Sequence, residues 1–387
     1  MLMTHADTLL ITAGRGSSAF GEVNPPTYRT STVLFEDFDT FEAAYHGRRK
    51  PGYGRQGNPT TQALANAISA LIQADYTLLT SSGLQAITLS LLAFVNQGDH
   101  IIVVDSVYGP TRAFCDHTLA KLGVETSYIP PDATIDDLHA ALRENTRVVF
   151  LEAPGSLTFE MQDIRALCAL AHQHDCITML DYTWATPLYM QPLDLGVDIA
   201  IQAVTKYISG HSDVIMGAVS CREKHKAALY DASYKMGNYV SGDEASLALR
   251  GLRTMSVRLS QQYRHAVQIA SFMQQQAAVA RILYPPLQGD VGHALWESHM
   301  TGGAALFGIE LEPSIDRAWV RSFVNKLQHI GMGFSWGGYE SLLIPFQPKA
   351  IRHHNERWAH NPWCLRVHIG LEHPDDIIDD ITQALAI

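Results

Sequence analysis

Apolar and polar positions follow a repeating pattern between residues 61 and 252. Helix-period segments alternate with short apolar runs, which are TLLT, HIIVVDS, VETSYIP, RVVFLEAP, CITMLDYT, DIAIQAVTK and DVIMGAVS. Continuous apolar strands separated by helices are typical of a parallel sheet buried on both faces. The pattern therefore predicts a large α/β domain with a mostly parallel, seven-stranded sheet.

The segments on either side of this block differ from it. Residues 1–60 are rich in Gly, Pro and Thr and have no core pattern, so we predict an irregular arm that lies on another surface. After residue 253 a long helical stretch, VRLSQQYRHAVQIASFMQQQAAVA, leads to the strand-like AALFGIEL, a further helix and CLRVHIGL. Residues 253–387 are therefore predicted to form a smaller C-terminal α/β domain.

Composition narrows the class of protein. The chain has 387 residues, of which 47% are hydrophobic and 17% charged, as in a well-packed globular protein. Its net charge of -11, with no Lys/Arg-rich block, disfavours nucleic acid and anionic membrane surfaces as partners. The five cysteines include no C-x-x-C pair, and no segment is long enough to span a bilayer. We therefore predict a cytoplasmic protein without structural disulfides.

The apolar run before Lys206 makes this lysine a candidate for chemistry. In open sheets of this kind, ligands bind beyond the carboxyl ends of the strands, and Lys206 follows such an end. An ammonium in apolar surroundings is costly unless the amine becomes neutral or is covalently bound. A surface lysine whose stem lies along the protein would give the same pattern.

Three further strand ends have polar residues. Asp181 emerges from an apolar run and needs a cation or several donors, although it could cap the next turn. Tyr108 precedes a Gly-Pro turn, where its ring could cover a ligand or only pack. Ser81, Ser82 and Gly83 lead into a helix, whose free amides could bind an anion; an ordinary serine cap is the alternative.

Together these features predict a site for pyridoxal phosphate. The lysine would form a Schiff base, the aspartate would keep the pyridine nitrogen protonated, and the helix N-terminus would hold the phosphate. No P-loop, G-x-G-x-x-G, G-x-S-x-G or H-E-x-x-H motif competes with this interpretation. His172 and His174 are two apart on a predicted helix and face different ways, so no metal site is predicted.

Seven motifs in order along the chain then resemble one family. They are YGRQGNPT, SSGLQA, VYGPT, LDYTW, TKYISGHSD, SWGGYESL and LRVHIGLE. Over nearly its whole length the chain resembles the cysteine/methionine-metabolism branch of the fold-type I pyridoxal phosphate enzymes. TKYISGHSD is similar to the lysine signature of the family, and the last two motifs are most similar to those of bacterial cystathionine β-lyases.

The resemblance implies roles for individual residues. Lys206 would be the Schiff-base lysine, Asp181 the partner of the pyridine nitrogen, and Tyr108 the ring-stacking residue, with Lys206 and Tyr108 as catalytic residues. Thr183 would touch the ring region. The residues expected to hold the phosphate are Ser82, Gly83, Leu84 and Thr205 of one subunit, with Tyr53 and Arg55 of its neighbour.

The substrate side of the site is implied in the same way. Arg366 would bind the substrate α-carboxylate, and Ser335 and Trp336 would form the wall around it. The chain departs from the family at Ala203, where γ-acting relatives have a phosphate-binding serine. It also departs at Tyr182, where relatives usually have asparagine, and at Phe334, which replaces the tyrosine expected in the most similar lyases. The γ-acting relatives have a glutamate in the pocket wall at the position of Phe334.

The expected reaction is β-elimination of L-cystathionine, an amino-acid substrate, to homocysteine, pyruvate and ammonia. The resemblance also implies a homotetramer, built as a dimer of dimers, with the arm of residues 1–60 against a neighbouring subunit. The alternatives are a γ-acting relative, either cystathionine γ-lyase or γ-synthase, and a non-catalytic cofactor-binding regulator. The presence of Lys206, Asp181 and Arg366 together argues against the regulator, which has no use for a substrate clamp.

Overall fold

The larger of two sheets has seven strands, as the sequence predicts. A computed structural model describes residues 4–15, 20–47 and 52–386; the other residues of the predicted arm, and residue 387, lie outside the described residues. The strands of the large sheet are β1 (Tyr76–Thr80), β2 (His100–Val104), β3 (Glu125–Ile129), β4 (Thr146–Glu152), β5 (Ile177–Asp181), β6 (Ile199–Ala203) and β7 (Gly217–Cys221).

Six of these strands point the same way. Their order across the sheet is β1-β7-β6-β5-β4-β2-β3, and only β7 is antiparallel to its two neighbours, β1 and β6. Strands β2 and β7 are buried at every position, as expected of a sheet covered on both faces. The prediction of a mostly parallel sheet is confirmed, and its carboxyl ends lie along one edge.

The smaller sheet has five strands and is mostly antiparallel. Its order is β10-β11-β12-β9-β8, and only β10 and β11 pair in parallel. The strands are β8 (Val279–Leu283), β9 (Leu306–Leu311), β10 (Gly331–Met332), β11 (Leu342–Phe346) and β12 (Cys364–His368). The predicted stretches AALFGIEL and CLRVHIGL contain β9 and β12, which are neighbours in the sheet.

Helices connect the strands and flank both sheets. The α-helices are α1 (Ala6–Thr12), α2 (Phe38–Tyr45), α3 (Pro59–Leu71), α4 (Gly83–Phe94), α5 (Gly109–Ala113), α6 (Ile135–Ala141), α7 (Ile164–Gln173), α8 (Thr186–Tyr189), α9 (Glu223–Lys235), α10 (Gly242–Arg253), α11 (Met255–Met273), α12 (His293–His299), α13 (Arg317–Lys326) and α14 (Pro374–Leu385). A π-helical segment, Phe114–Leu119, continues α5, and short 3-10 helices are Gly54–Gln56, Pro192–Leu195, Pro348–Ile351 and Glu356–Trp358. Among the described residues, none of the helices is both long and apolar enough to cross a bilayer.

The long C-terminal helix is shorter than its sequence pattern predicts. Helix α11 ends at Met273, and the last two residues of the predicted stretch, Val279 and Ala280, belong to β8. The intervening QQQAA has no glycine or proline that would mark a helix end. Pairing of β8 with β9 decides the conformation there, so tertiary contacts override the local helix preference.

The described part of the arm contains two short helices rather than only irregular chain. Leu10 of α1 is buried, whereas α2 has no buried residue. Further along, Arg29 forms an ion pair with Asp243 at the start of α10, at 2.8 Å. The arm thus lies along the large domain of its own chain, while its aromatic helix α2 stays uncovered. The division at residues 60 and 252 stays a prediction.

Candidate active site

Predicted site residues from four strands meet at the carboxyl edge of the large sheet. Asp181 is the last residue of β5, and Lys206 lies in the turn three residues after β6. Ser82 follows β1, and Tyr108 follows β2 at the start of α5. Because these strands are parallel, the sheet brings together residues that are far apart in the sequence.

Lys206 points its amine at a loop of the smaller sheet. Its Nζ donates a hydrogen bond to Ser335 Oγ at 3.0 Å and lies 5.1 Å from the centroid of the Trp336 ring. Burial lowers the pKa of Lys206 to about 8; the charge of Arg366 acts in the same direction, and that of Asp181 opposes it. An amine with this pKa is partly neutral near pH 7, so it can act as a nucleophile or a base.

Asp181 is a buried carboxylate with one oxygen occupied. Its Oδ1 accepts hydrogen bonds from the amide of Thr183 at 2.9 Å and from its hydroxyl at 2.5 Å. The Thr183 hydroxyl in turn accepts from the amide of Ala203 at 2.9 Å. Burial raises the pKa of Asp181, while the Thr183 donors and Lys206 lower it. Oδ2 accepts no hydrogen bond within the described residues, so it is available to a cationic donor.

The N-terminus of α4 has free amides on the ligand side. Ser82 is its N-cap and accepts from the amide of Gln85 at 3.0 Å, whereas the amides of Gly83 and Leu84 find no acceptor among the described residues. Gly83 is required by close packing, because a Cβ there would lie 2.7 Å from that of Ala203. These features fit an anion at the helix start.

The Thr205 hydroxyl forms hydrogen bonds with the residue that precedes β7. It accepts from the amide of Met216 at 2.9 Å and donates to the Met216 carbonyl at 3.2 Å. The predicted phosphate contact of Thr205 would have to use the remaining acceptor capacity of this oxygen or replace the bond to the carbonyl.

Tyr108 is held by a second strand-end carboxyl. Its amide donates to Glu152 Oε2 at 2.7 Å, and Glu152 is paired in register with Asp181 across β4 and β5. Burial, and then the charge of Asp181, raises the pKa of Glu152 well above its usual range. Tyr108 is 46% exposed, so it is accessible to a ligand.

Arg366 on β12 lies behind the loop that carries Ser335 and Trp336. Its Nη1 donates to the Phe334 carbonyl at 2.7 Å, and its Nη2 donates to the carbonyls of Gly333 and Ser335 at 3.0 and 2.9 Å. Its buried Nε has no hydrogen-bond partner. Arg366 is only 5% exposed and faces no carboxylate within the described chain. This leaves a buried cationic donor suited to a substrate carboxylate.

Tyr53 and Arg55 are not brought to this site within one chain. Tyr53 forms a bridge with Thr32, and its hydroxyl accepts from Ser31 at 3.1 Å. Arg55 donates to the Tyr234 carbonyl at 3.0 Å and lies 4.7 Å from the centroid of that ring. Their predicted contact with a phosphate therefore needs a second subunit.

Sequence reasoning missed three residues that support the site. Glu152 ends an apolar strand just as Asp181 does, so the same signal could have found it. His368 is a polar residue in the buried strand β12 and accepts a hydrogen bond from the amide of Gly337. Gly337 has φ of 85°, and a Cβ there would lie 2.9 Å from backbone atoms of Lys206. Nothing in the local sequence of Gly337 indicates this approach.

The residues at the edge of the sheet fit the parts of pyridoxal phosphate. A partly neutral lysine suits the aldehyde, a buried carboxylate oxygen without a donor suits the ring nitrogen, and unpaired helix amides suit the phosphate. The partly exposed aromatic side chain of Tyr108 suits the ring of the cofactor. The individual roles stay predictions, but the donors and acceptors left unpaired are those that this cofactor needs.

Comparisons with known proteins agree with this fit. A family model described as "Cys/Met metabolism PLP-dependent enzyme" matches residues 7–386. Cystathionine beta-lyase of Bordetella avium is 39% identical, with 98% of this chain and 97% of that protein covered. Cystathionine beta-lyase of Escherichia coli is 37% identical, with 98% of each covered. The solved structure of cystathionine gamma synthase from Xanthomonas oryzae superposes with a TM-score of 0.91 at 30% identity, covering 100% of this chain and 98% of that one. The chain therefore belongs to the Cys/Met metabolism PLP-dependent enzymes, and pyridoxal phosphate is its cofactor.

Proposed function

We propose that this enzyme is a carbon-sulfur lyase that cleaves L-cystathionine by β-elimination to homocysteine, pyruvate and ammonia. The observation that supports this most directly is the surroundings of Lys206 Nζ, which contacts Ser335 and the Trp336 ring and is close enough to Asp181 for the carboxylate to raise its pKa. Relatives named cystathionine beta-lyase cover nearly the whole chain, which supports the choice of substrate.

Different residues of the chain carry out different steps of the reaction. Arg366 binds the α-carboxylate and so orients the Cα–H bond toward Lys206. When bound, pyridoxal phosphate supplies an electron-accepting ring that stabilises negative charge at Cα. The neutral Nζ of Lys206 removes the Cα proton, and the same atom then protonates the departing sulfur of homocysteine as the Cβ–S bond breaks. Water hydrolyses the released three-carbon fragment to pyruvate and ammonia.

The pocket wall favours cleavage at Cβ over Cγ. The loop of residues 333–338 reads GFSWGG and has no acidic side chain. Phe334, which stands where the γ-acting relatives are expected to have a glutamate, is 88% exposed and cannot bind a distal ammonium by charge. A γ-acting enzyme is the second candidate, because a cystathionine gamma synthase has closely similar architecture.

The products formed from cystathionine test this proposal. We expect pyruvate to exceed 2-oxobutyrate by at least about tenfold, which corresponds to roughly 1.4 kcal/mol of transition-state preference. The measurement is chromatography of the 2-oxo acids after derivatisation.

Two matched variants locate the cause of this preference. Phe334→Glu should raise the fraction of 2-oxobutyrate, whereas the neutral Phe334→Gln should not. Predominant 2-oxobutyrate from the unmodified enzyme would support the γ-acting alternative instead. Binding of the cofactor without any turnover would favour the non-catalytic regulator.

We also propose that the enzyme is a homotetramer whose arm, residues 1–60, contacts a neighbouring subunit. The support is an uncovered aromatic surface on the arm, where Phe38 is 71% and Tyr45 78% exposed. Exposed apolar residues clustered in this way are typical of a subunit interface. Tyr53 and Arg55, which make no hydrogen bond to the site of their own chain, would then hold the phosphate of the neighbouring subunit.

Arg55→Ala is expected to weaken cofactor binding by at least about tenfold, because it removes a charge-assisted hydrogen bond to the phosphate. The measurement is the dissociation constant of pyridoxal phosphate from its absorption band. Arg29→Ala is the matched control, since Arg29 lies on the same arm and pairs with Asp243 instead. A fully active monomer in analytical sedimentation would contradict both the role of Arg55 and the assembly.

The proposed compartment is the cytoplasm. All five cysteines are unpaired and buried, which suits a reducing environment. The proposed partners are an amino-acid substrate and further copies of the chain. The net charge of -11 gives no reason to propose nucleic acid as a partner.

A further inference from the structure

His368 is a fully buried histidine that has no part in the proposed proton transfers. It lies on β12 two residues after Arg366, so both side chains leave the strand on the same face. Arg366 bonds three carbonyls of residues 333–335, and His368 Nε2 lies 3.1 Å from the amide nitrogen of Gly337. The strand thus holds both halves of the loop that carries Ser335 and Trp336.

The hydrogen bonds determine the proton position on His368. The amide of Gly337 is a donor, so the Nε2 atom that accepts its hydrogen bond has no proton, and the ring proton lies on Nδ1, which is buried and has no hydrogen-bond partner among the described residues. The Gly338 carbonyl, 3.2 Å from Nε2, has a donor of its own in Gln262 Nε2. Burial lowers the pKa of His368 to about 4, and the charges of Arg366 and Lys206 act in the same direction. His368 is therefore neutral, and it can accept, at neutral pH.

The hydrogen bond between His368 and the Gly337 amide connects His368 to the surroundings of the Lys206 amine. Gly337 packs its backbone on that of Lys206, where even a methyl group would lie 2.9 Å away. Trp336 precedes it and contacts the buried Tyr207 ring, 5.5 Å between centroids; that ring is 5.8 Å from His368. Moving the Gly337 amide would therefore move Trp336 relative to Lys206 Nζ.

We propose that His368 is a positioning residue for the lyase reaction, which holds the Gly337 amide and thereby places Ser335 and Trp336 over the Lys206 amine. This proposal rests on the proposed function. Its consequence is that His368 acts through the wall of the pocket, so the effect of replacing His368 should depend on the presence of Trp336.

The test compares two amides of different length. Gln at position 368 can place an oxygen near the Gly337 amide, whereas Asn cannot reach it. We expect His368→Asn to lower kcat/KM for cystathionine at least about tenfold, mainly through KM, and His368→Gln to stay within about threefold of the unmodified enzyme.

His100→Asn is the matched control. His100 is equally buried, contacts Thr146 and Ser127 through its ring nitrogens, and has its pKa lowered by burial to about 4. It is the first residue of β2, so it lies at the edge of the large sheet opposite to the candidate site. It should change stability and leave the kinetic constants within about twofold. In a Trp336→Ala background, His368→Asn should likewise add less than about twofold. Equal losses in both backgrounds, or a Gln variant as impaired as the Asn variant, would overturn the proposal.

A measurement without turnover separates this proposal from the proposed function. The emission of Trp336, taken as the difference between the unmodified protein and Trp336→Phe, should shift as the pH falls through about 4. Protonated His368 cannot accept from Gly337, so the shift should be absent in His368→Gln, with circular dichroism monitoring the fold. The same shift in His368→Gln would overturn the positioning role, even if His368→Asn does not fold. An enzyme that shows the shift but forms no pyruvate would contradict only the proposed function.

Discussion

Lys206→Ala is expected to reduce β-elimination by at least about 1,000-fold, because the variant lacks the amine that removes the Cα proton and returns a proton to sulfur. The absorption band of the lysine-bound cofactor should disappear at the same time. The pKa of Lys206, which is about 8, and its hydrogen bond to Ser335 distinguish it from a surface lysine. Pyruvate formation and the visible spectrum are measured together.

The control for this prediction is a lysine outside the site. Lys326 on α13 bonds the Ala386 carbonyl at 2.9 Å, and Lys326→Ala should leave both spectrum and turnover unchanged. Borohydride reduction followed by peptide mass spectrometry should place the pyridoxyl group on the peptide that contains Lys206. Substantial lyase activity in Lys206→Ala would show that another group performs the proton transfers.

The large sheet was predictable because its strands are continuous apolar runs. β4 and β5, for example, read TRVVFLE and ITMLD, and each is almost wholly buried. The direction of β7 was not predictable. Its run, DVIMGAVS, is as apolar as its neighbours, and nothing in it indicates that it pairs antiparallel with β1 and β6. Strand direction depends on the path of the connecting segments, which local periodicity does not report.

The prediction of the site was most accurate for residues whose position depends only on the end of a single strand. Asp181 and Lys206 follow neighbouring parallel strands, so the parallel arrangement alone brings them to one edge. The contact between Lys206 and Ser335 joins positions 129 residues apart and depends on how the two sheets pack against each other. The contact of His368 with Gly337 arises within the smaller sheet, because β12 pairs with β11 and so lies beside the loop that precedes β11; no pattern in the sequence reports it.

Arg366→Lys is expected to lower kcat/KM for cystathionine about a hundredfold, mostly through KM, and to leave the spectrum of the bound cofactor unchanged. A guanidinium has five N–H donors, and three hydrogen bonds to the carbonyls of residues 333–335 leave the buried Nε and one further N–H without a partner among the described residues. An ammonium has three donors on one atom and cannot serve the loop and a carboxylate together. Steady-state kinetics and absorption spectra measure the two effects.

A substrate analogue separates the carboxylate clamp from the support of the loop. The unmodified enzyme should strongly prefer cystathionine over the analogue in which the α-carboxylate of the three-carbon, cleaved half is a carboxamide, because only the carboxylate is attracted to the charge of Arg366. This preference should fall at least about tenfold in Arg366→Lys. Arg281→Lys is the control, since Arg281 lies on the same small sheet and pairs with Glu310. If the variant kept the full preference while losing activity, Arg366 would support only the loop, and another cation would have to bind the substrate carboxylate.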